Sequence, residues 1–170
     1  MADDWRADRV RSAIEGRNPT VLAELDAAFA VIGDVQFLPG YSLALTKSPG
    51  VERLSSLPRS ERLRFLADVD LIATAVESVC AANDPGFRRM NIEILGNTHP
   101  ILHAHIWPRY TWESADRVGM PVWRYPQERW HEPASALSAA HDELKSALSA
   151  EINRLHHLEG NRSGRSIDGR

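Results

Sequence analysis

The sequence predicts an α+β domain: an antiparallel sheet of about five strands with a long central helix and a C-terminal helix. Two long helical patterns and several short strand-like segments follow one another in mixed order, which is typical of this class. Turn signals such as Asn18-Pro19 and Pro39-Gly40 separate the strand-like segments. The 170 residues, 43% hydrophobic and 25% charged, are enough for one sizeable core and too few for two.

The N-terminal part is expected to hold one helix and three strands. Residues 5–15 have the pattern of a short Arg-rich amphipathic helix, which Gly16 ends. Residues 21–25 and 29–32 form the predicted first hairpin, and residues 41–46 alternate well enough for a third strand.

Residues 59–82 carry the strongest helix pattern of the chain. Pro58 stands where proline is favoured at the start of a helix, and the turn residues 83–86 end the pattern. The predicted buried stripe is interrupted only by Asp70. Its apolar members are Leu63, Leu66, Ala73, Val76 and Cys80.

The C-terminal part begins with a predicted antiparallel hairpin of residues 90–94 and 101–107. An irregular aromatic segment, 108–133, then leads to a second long helix over residues 134–157. The apolar stripe of that helix comprises Leu137, His141, Leu144, Leu148, Ile152 and Leu155.

We therefore expect a single domain over residues 1–159. Its core lies in residues 17–110, and residues 111–159 form an aromatic extension and the second helix. Residues 160–170 are polar and glycine-rich, and we expect them to be disordered.

Charge and cysteine content narrow the class of protein. The formal net charge of −3 provides no basic field for nucleic acid. Cys80 is the only cysteine, so neither an internal disulfide nor a Cys-based zinc site can form. The sequence has no apolar run of about 18 residues and no apolar N-terminal targeting segment. We therefore expect a cytoplasmic protein that binds neither nucleic acid nor membrane.

The segment most informative about chemistry is the predicted strand 101–107. Alternation places Ile101, His103, His105 and Trp107 on one face, with the two imidazoles about 7 Å apart in Cα. A neutral imidazole can attack phosphorus once a backbone carbonyl fixes its tautomer. A second imidazole beside it can donate to a phosphate oxygen as charge develops. The pair therefore indicates phosphoryl or nucleotidyl transfer without a metal.

A metal-binding interpretation of the same histidines stays open. His99, His103 and His105 together resemble a zinc ligand set, although Pro100 disturbs the strand register of His99. This alternative predicts a His-based metalloenzyme.

The run His103-Ala-His-Ile-Trp-Pro-Arg109, preceded by Gly96-Asn97-Thr98, resembles the signature of the histidine triad (HIT) superfamily of nucleotide hydrolases and transferases. Upstream, Pro39-Gly40-Tyr41 is similar to that family's Pro-Gly-His. Together with the later Pro121-Val122-Trp123, the pattern resembles bacterial HIT proteins described as diadenosine tetraphosphate hydrolase-like. The resemblance covers about residues 17–110.

The resemblance implies a role for each matching residue. His103 falls on the family's nucleophile, and His105 on the histidine that contacts the transferred phosphate. Asn97 would bind phosphate, and Thr98 would donate on the leaving-group side. Gly96 in the same turn is a further expected substrate contact. Apart from the resemblance, the aromatic cluster that includes Trp107 either stacks a base or packs over the sheet, and Arg109 either contacts phosphate or closes the strand.

Two positions depart from the family pattern. Ile101 stands in place of the first triad histidine, which removes one polar contact. Gly33 stands in place of the ribose-binding asparagine, and the neighbouring Asp34 is expected to accept hydrogen bonds from ribose instead.

The predicted function is hydrolysis or transfer of a nucleotidyl group from a nucleoside polyphosphate or related conjugate, through a covalent nucleotidyl-histidine intermediate and with no cofactor. A nucleotide-binding module with little or no catalysis is the alternative that the two departures favour. The resemblance also implies a homodimer.

Overall fold

The computed structural model describes residues 4–165, and its five strands form one antiparallel sheet in the spatial order β1-β2-β3-β5-β4. The strands are β1 (Val21–Glu24), β2 (Ala28–Ile32), β3 (Ser42–Thr46), β4 (Phe87–Glu93) and β5 (His103–Tyr110). The helices are α1 (Arg9–Ile14), α2 (Arg59–Asn83), α3 (Gln127–His131) and α4 (Asp142–Arg165). The predicted α+β class is confirmed.

The strand pairing follows the two predicted hairpins. Strands β1 and β2 pair antiparallel, as do β4 and β5. Strand β3 pairs with both β2 and β5 and so joins the two hairpins. Strand β5 consequently lies inside the sheet, where hydrogen bonds from both sides hold its backbone, and β4 lies at the edge.

One face of the sheet carries the main core. Ala104 and Ile106 of β5 belong to one buried cluster with Ile72 of α2 and with Leu148 and Ile152 of α4. Helix α2 packs against both the sheet and α4. The opposite face of β5 is thereby left for the site described below.

The buried surface of α2 differs from the predicted stripe. Leu63 and Asp70 are exposed, whereas Phe65, Val69 and Ile72 are buried. A helix with neighbours on two sides buries more than one stripe, so a pattern that assumes a single packing face assigns some positions wrongly.

The ends of two helices also differ from prediction. Helix α1 is shorter than residues 5–15, and the C-terminal helix begins at Asp142 because residues 133–141 form two short 3-10 turns. Helix α4 continues through Gly160 to Arg165, into the segment for which the sequence predicts disorder. A glycine inside a helix costs only about 1 kcal/mol, so neither Gly160 nor Gly164 needs to end the helix. Residues 166–170 lie outside the described part of the chain.

Between residues 4 and 165, no helix combines the length and the apolar character that crossing a membrane requires.

Candidate active site

Strand β5 places two histidines on the face opposite the core. His103 and His105 line a cavity of about 640 Å³, whereas Ala104 between them is buried in the core. Leu45 and Leu43 of β3 lie directly opposite the two histidines and line the same cavity. The alternation predicted for this strand is therefore confirmed.

Several parts of the chain, among them the segment after β2 with Asp34 and Val35, enclose this cavity, which we call the histidine cavity. The sheet forms its floor, and its walls come from the N-terminal region, the β4–β5 loop and the C-terminal segment. The N-terminal region contributes Arg9, Asn18 and Thr20, the loop contributes Leu95 to His99, and the C-terminal segment contributes Trp123 and Trp130.

A chain of hydrogen bonds sets the tautomers of the two histidines. Nδ1–H of His103 donates to the carbonyl oxygen of Ile101, at 2.7 Å. In a neutral ring the Nε2 of His103 is then an acceptor, so Nε2–H of His105, 3.0 Å away, donates to it. Nδ1 of His105 is left as an acceptor for the hydroxyl of Tyr41, at 2.7 Å. His103 thus presents a lone pair on Nε2, as a nucleophile requires.

Burial keeps this chain of groups neutral. Desolvation lowers the pKa of His103 below its usual value, although the hydrogen bond to Ile101 acts in the opposite direction. Desolvation, reinforced by the neighbouring His103, lowers the pKa of His105 to about 3. Desolvation also raises the pKa of Tyr41 well above its usual value. Both imidazoles are therefore uncharged at neutral pH, and Tyr41 remains a hydroxyl donor.

The predicted turn residues lie at the mouth of the histidine cavity. Gly96 has a φ of +72°, a left-handed conformation that glycine adopts without strain, and lines the cavity. Asn97 and Thr98 follow it, are exposed, and line the same cavity as His103. The structure thus brings together the loop and strand residues that the sequence motif suggested.

Asp34 lines the cavity as well, but it already has a partner. The guanidinium of Arg9 in helix α1 donates to its carboxylate, and Arg6 lies 3.8 Å from it. Arg9 also lines the cavity and was not anticipated from the sequence, where it is one arginine of several in a short amphipathic pattern. A ligand that binds Asp34 will therefore also lie close to the guanidinium of Arg9.

A side chain at position 33 would clash with the ring of Tyr41, and this is why glycine fits there. A Cβ at this position would lie 2.1 Å from the ring of Tyr41, far inside contact distance. The departure at Gly33 and the presence of Tyr41 in the Pro-Gly-Tyr turn are thus two parts of one packing arrangement.

Trp107 lies beneath the site and does not line the cavity. It is fully buried, and its ring stacks on Tyr41 with centroids 3.4 Å apart. Trp123 and Trp130 pack edge-on against it. The predicted contact of Trp107 with substrate is wrong, because the C-terminal segment covers this half of β5.

Arg109 is also a structural residue, and its predicted phosphate contact is wrong. Its guanidinium, 2% exposed, donates to Glu113 at 2.7 to 3.0 Å and to the carbonyl oxygens of Arg117 and Met120. Burial alone would raise the pKa of Glu113, but its hydrogen bonds, that from Arg109 foremost, hold the pKa below its usual value. The pair anchors the segment after β5.

Three residues near His105 were not assigned to the site from the sequence. Tyr41 donates to His105, and Trp123 packs edge-on against it with ring centroids 4.7 Å apart. Glu93 lies opposite His105 in the sheet and accepts a hydrogen bond of 2.7 Å from Nε1 of Trp123. The Pro-Gly-Tyr turn was a usable signal for Tyr41. No local pattern indicated the Glu93–Trp123 contact, because the two residues are 30 positions apart.

The structure offers no ligand set for a metal ion. Among the residues it describes, no group of three or more His, Cys, Asp or Glu side chains is placed to hold one. His99, the third member of the hypothetical zinc set, is exposed in the β4–β5 loop.

The fold and the site define a protein with a neutral histidine pair at the wall of a cavity large enough for a nucleotide. A family profile for the HIT domain matches residues 16–112, more than half of the sequence. The chain belongs to the HIT domain family, whose members typically bind nucleotides and act on them as hydrolases or transferases.

Solved structures support the same fold. A histidine triad protein from Bradyrhizobium japonicum is 21% identical, with a TM-score of 0.64 over 78% of this chain and 89% of the other. A hypothetical histidine triad nucleotide-binding protein from Sulfolobus tokodaii is 17% identical, with a TM-score of 0.60 over 86% and 93%. A zinc-bound histidine triad family protein from Mycobacterium smegmatis is 16% identical, with a TM-score of 0.57 over 86% and 94%. No curated protein sequence matches the chain.

Proposed function

We propose that the protein is a nucleotide hydrolase or nucleotidyl transferase of the diadenosine tetraphosphate hydrolase-like type. Its substrate is a nucleoside polyphosphate or a related nucleotide conjugate. His103 is the nucleophile, and the reaction passes through a covalent nucleotidyl-His103 intermediate.

One observation carries the proposal. His103 has one ring nitrogen fixed by the Ile101 carbonyl and the other hydrogen-bonded to His105 at the wall of the histidine cavity. A nucleophilic imidazole needs this combination of a fixed tautomer, a neutral ring and access to ligand.

The remaining walls of the cavity suit the parts of a nucleotide. Val31, Leu43 and Leu45 provide an apolar surface for a base. Asp34 is the acceptor we assign to the ribose hydroxyls. Asn97, Thr98 and the backbone at Gly96 are the groups we assign to the phosphate oxygens and the leaving group.

The proposed reaction has two steps. The Nε2 lone pair of His103 forms a bond to the α-phosphorus, and the bond from phosphorus to the leaving oxygen breaks, with its electron pair staying on that oxygen. Water then attacks the same phosphorus and loses a proton to solvent, and the electron pair of the N–P bond returns to His103. His105 turns its Nε2–H from His103 to a phosphate oxygen as charge develops there.

The test is to trap the intermediate. The protein is mixed with a panel of dinucleoside polyphosphates and nucleoside phosphoramidates, and its intact mass is measured within a turnover. We expect a mass increase of one nucleoside monophosphate with wild type and none with His103→Ala. Undiminished turnover by His103→Ala would rule out the mechanism.

Nucleotide binding without catalysis is the second candidate, and Ile101 favours it. The side chain of Ile101 belongs to the apolar cluster with Phe29 and Leu45, so the polar contact of a first triad histidine is missing. This candidate predicts calorimetric binding of nucleotide with no mass increase at His103.

We also propose that two copies of the chain associate through the free edge of β4. Ile92 on this edge strand and the following Ile94 and Leu95 are exposed apolar side chains. Light scattering after gel filtration is expected to give a dimer for wild type and a smaller mass for Ile92→Glu. Wild type eluting with the mass of a single chain would contradict this.

We also propose that the protein is located in the cytoplasm. Cys80 is buried and free, which fits a reducing compartment. Fractionation of cells that express the chain would check this assignment.

A further inference from the structure

A second cavity, of about 430 Å³, lies beside the histidine cavity and shares a wall with it. Leu95, Gly96, Ile101 and His103 line both cavities. A ligand with its phosphorus at His103 can therefore extend into either one.

The second cavity is lined by two arginines, and we call it the arginine cavity. Arg53 is exposed and makes no ion pair within residues 4–165. Arg62 donates from Nη2 to the Leu57 carbonyl at 3.2 Å, and its buried Nε has no hydrogen-bond partner among the described residues. Ser55 adds a hydroxyl, and Glu52 is the one acidic residue on the wall. The lining therefore carries an excess of positive charge and unused N–H donors.

The backbone holds these arginines in a defined relation to His103. The N–H of Leu102, next to His103, donates to the carbonyl of Val51 at 2.7 Å, which ties the segment of Arg53 to the start of β5. Arg62 lies in the first turn of α2, and its N–H donates to the carbonyl of Pro58. The arrangement is thus part of the fold.

The two cavities differ in the ligand chemistry that they suit. In the histidine cavity the cation Arg9 is already neutralised by Asp34, and much of the wall is apolar. In the arginine cavity neither Arg53 nor Arg62 has a carboxylate partner within the described chain. Guanidinium groups of this kind favour phosphate.

We propose that the arginine cavity receives the leaving group of the reaction at His103, and that this group is an anionic phosphate chain. The inference rests on the proposed function, and it restricts the preferred substrates to those that release an anionic phosphate chain. When the bond from the α-phosphorus to oxygen breaks, the electron pair stays on the departing phosphate. Arg53 and Arg62 bind that added charge.

A substrate preference follows from this assignment. Nucleoside and dinucleoside polyphosphates release a phosphate anion as the leaving group, and both arginines stabilise its charge. Nucleoside phosphoramidates instead release a neutral amine, because the departing nitrogen takes a proton from solvent as its bond to phosphorus breaks. The arginines stabilise that neutral product little, although both substrates pass through the same nucleotidyl-His103 intermediate.

The experiment compares the two substrates in one double variant, Arg53→Gln with Arg62→Gln. With the base that the nucleotide panel selects, kcat/KM is measured for the dinucleoside tetraphosphate and for the phosphoramidate. We expect a loss of about 100-fold for the tetraphosphate, since each charged hydrogen bond contributes roughly tenfold. For the phosphoramidate we expect less than about a threefold change. Arg64→Gln, an exposed arginine of the same helix, is the matched control.

Each outcome supports or contradicts the assignment of the leaving group to the arginine cavity. Equal losses for both substrates would place the arginines in the common step or in stability, and an unchanged tetraphosphate rate would place the leaving group elsewhere. Either result overturns the inference while leaving nucleotidyl-His103 intact. If wild type forms no covalent adduct with either substrate, the proposed function itself fails, and the inference fails with it.

Discussion

Strand β5 has two halves that follow the same alternation and serve different purposes. His103 and His105 in the first half face the histidine cavity, whereas Trp107 and Arg109 in the second half are buried under the segment that follows the strand. The difference teaches that a strand sets the direction of a side chain, but a distant segment decides whether ligand can reach it.

The largest effect on stability is expected from the buried end of the strand. Arg109→Leu leaves the carboxylate of Glu113 buried without its cation, which costs about 3–5 kcal/mol. Urea unfolding measures the loss, and adding Glu113→Leu is expected to recover much of it. If Arg109→Leu kept wild-type stability and lost nucleotide affinity, the second half of β5 would serve ligand binding, as the first half does.

Substitutions in the first half of the strand are expected to lower the catalytic rate. His105→Phe keeps a ring of similar size but removes the donor to His103 and to phosphate, so kcat should fall by about 10²–10³-fold. Trp107→Phe is the matched change in the other half, and it should lower the unfolding free energy while kcat stays within about threefold. The contrast fails if both variants lose kcat equally.

A smaller effect is expected at the residue that contacts both halves. Tyr41 donates to His105 and stacks on Trp107, so Tyr41→Phe keeps the stacking and removes only the hydrogen bond. We expect kcat to fall by about tenfold, because the His105 tautomer is no longer held. The dependence of kcat/KM on pH should also change, and an unaltered pH profile would assign Tyr41 to packing alone.

The last effect develops only as the solution is made acid, and it is the contribution of His105 to the pH dependence of stability. Its folded-state pKa of about 3 lies below the unfolded value of 6.5, so between these pH values the unfolded chain binds the extra proton. This contribution is present above about pH 6.5 and is lost as pH falls toward 3, at no more than about 1.4 kcal/mol per pH unit. Unfolding curves of wild type and His105→Phe should therefore converge in acid, and parallel curves would argue against a neutral His105.

Much of the fold was predictable, because strands and turns leave local signals. The two hairpins and helix α2 matched to within a few residues. The start of α4 did not, because residues 133–141 adopt short 3-10 turns inside a helical hydrophobic pattern. A hydrophobic pattern reports which side chains are buried, and it does not report which type of turn connects them.

The site was predictable to a smaller extent. The His-x-His alternation and the Gly96 turn are short-range features, and they identified the loop and strand that line the histidine cavity. Tyr41 and Trp123 come from other parts of the chain, and only folding brings them against His105. Folding likewise places Arg53 in a cavity that His103 also lines.

The sequence by itself determined the class of fold, the hairpins and the face of β5 that carries the histidines, because backbone alternation and turn chemistry act over a few residues. The tertiary structure alone decided that Tyr41 sets the tautomer of His105, that Trp107 and Arg109 are buried, and that two arginines line a cavity with His103. Access, desolvation and charge around a side chain are sums over everything packed against it, and most of those neighbours lie far away in the sequence.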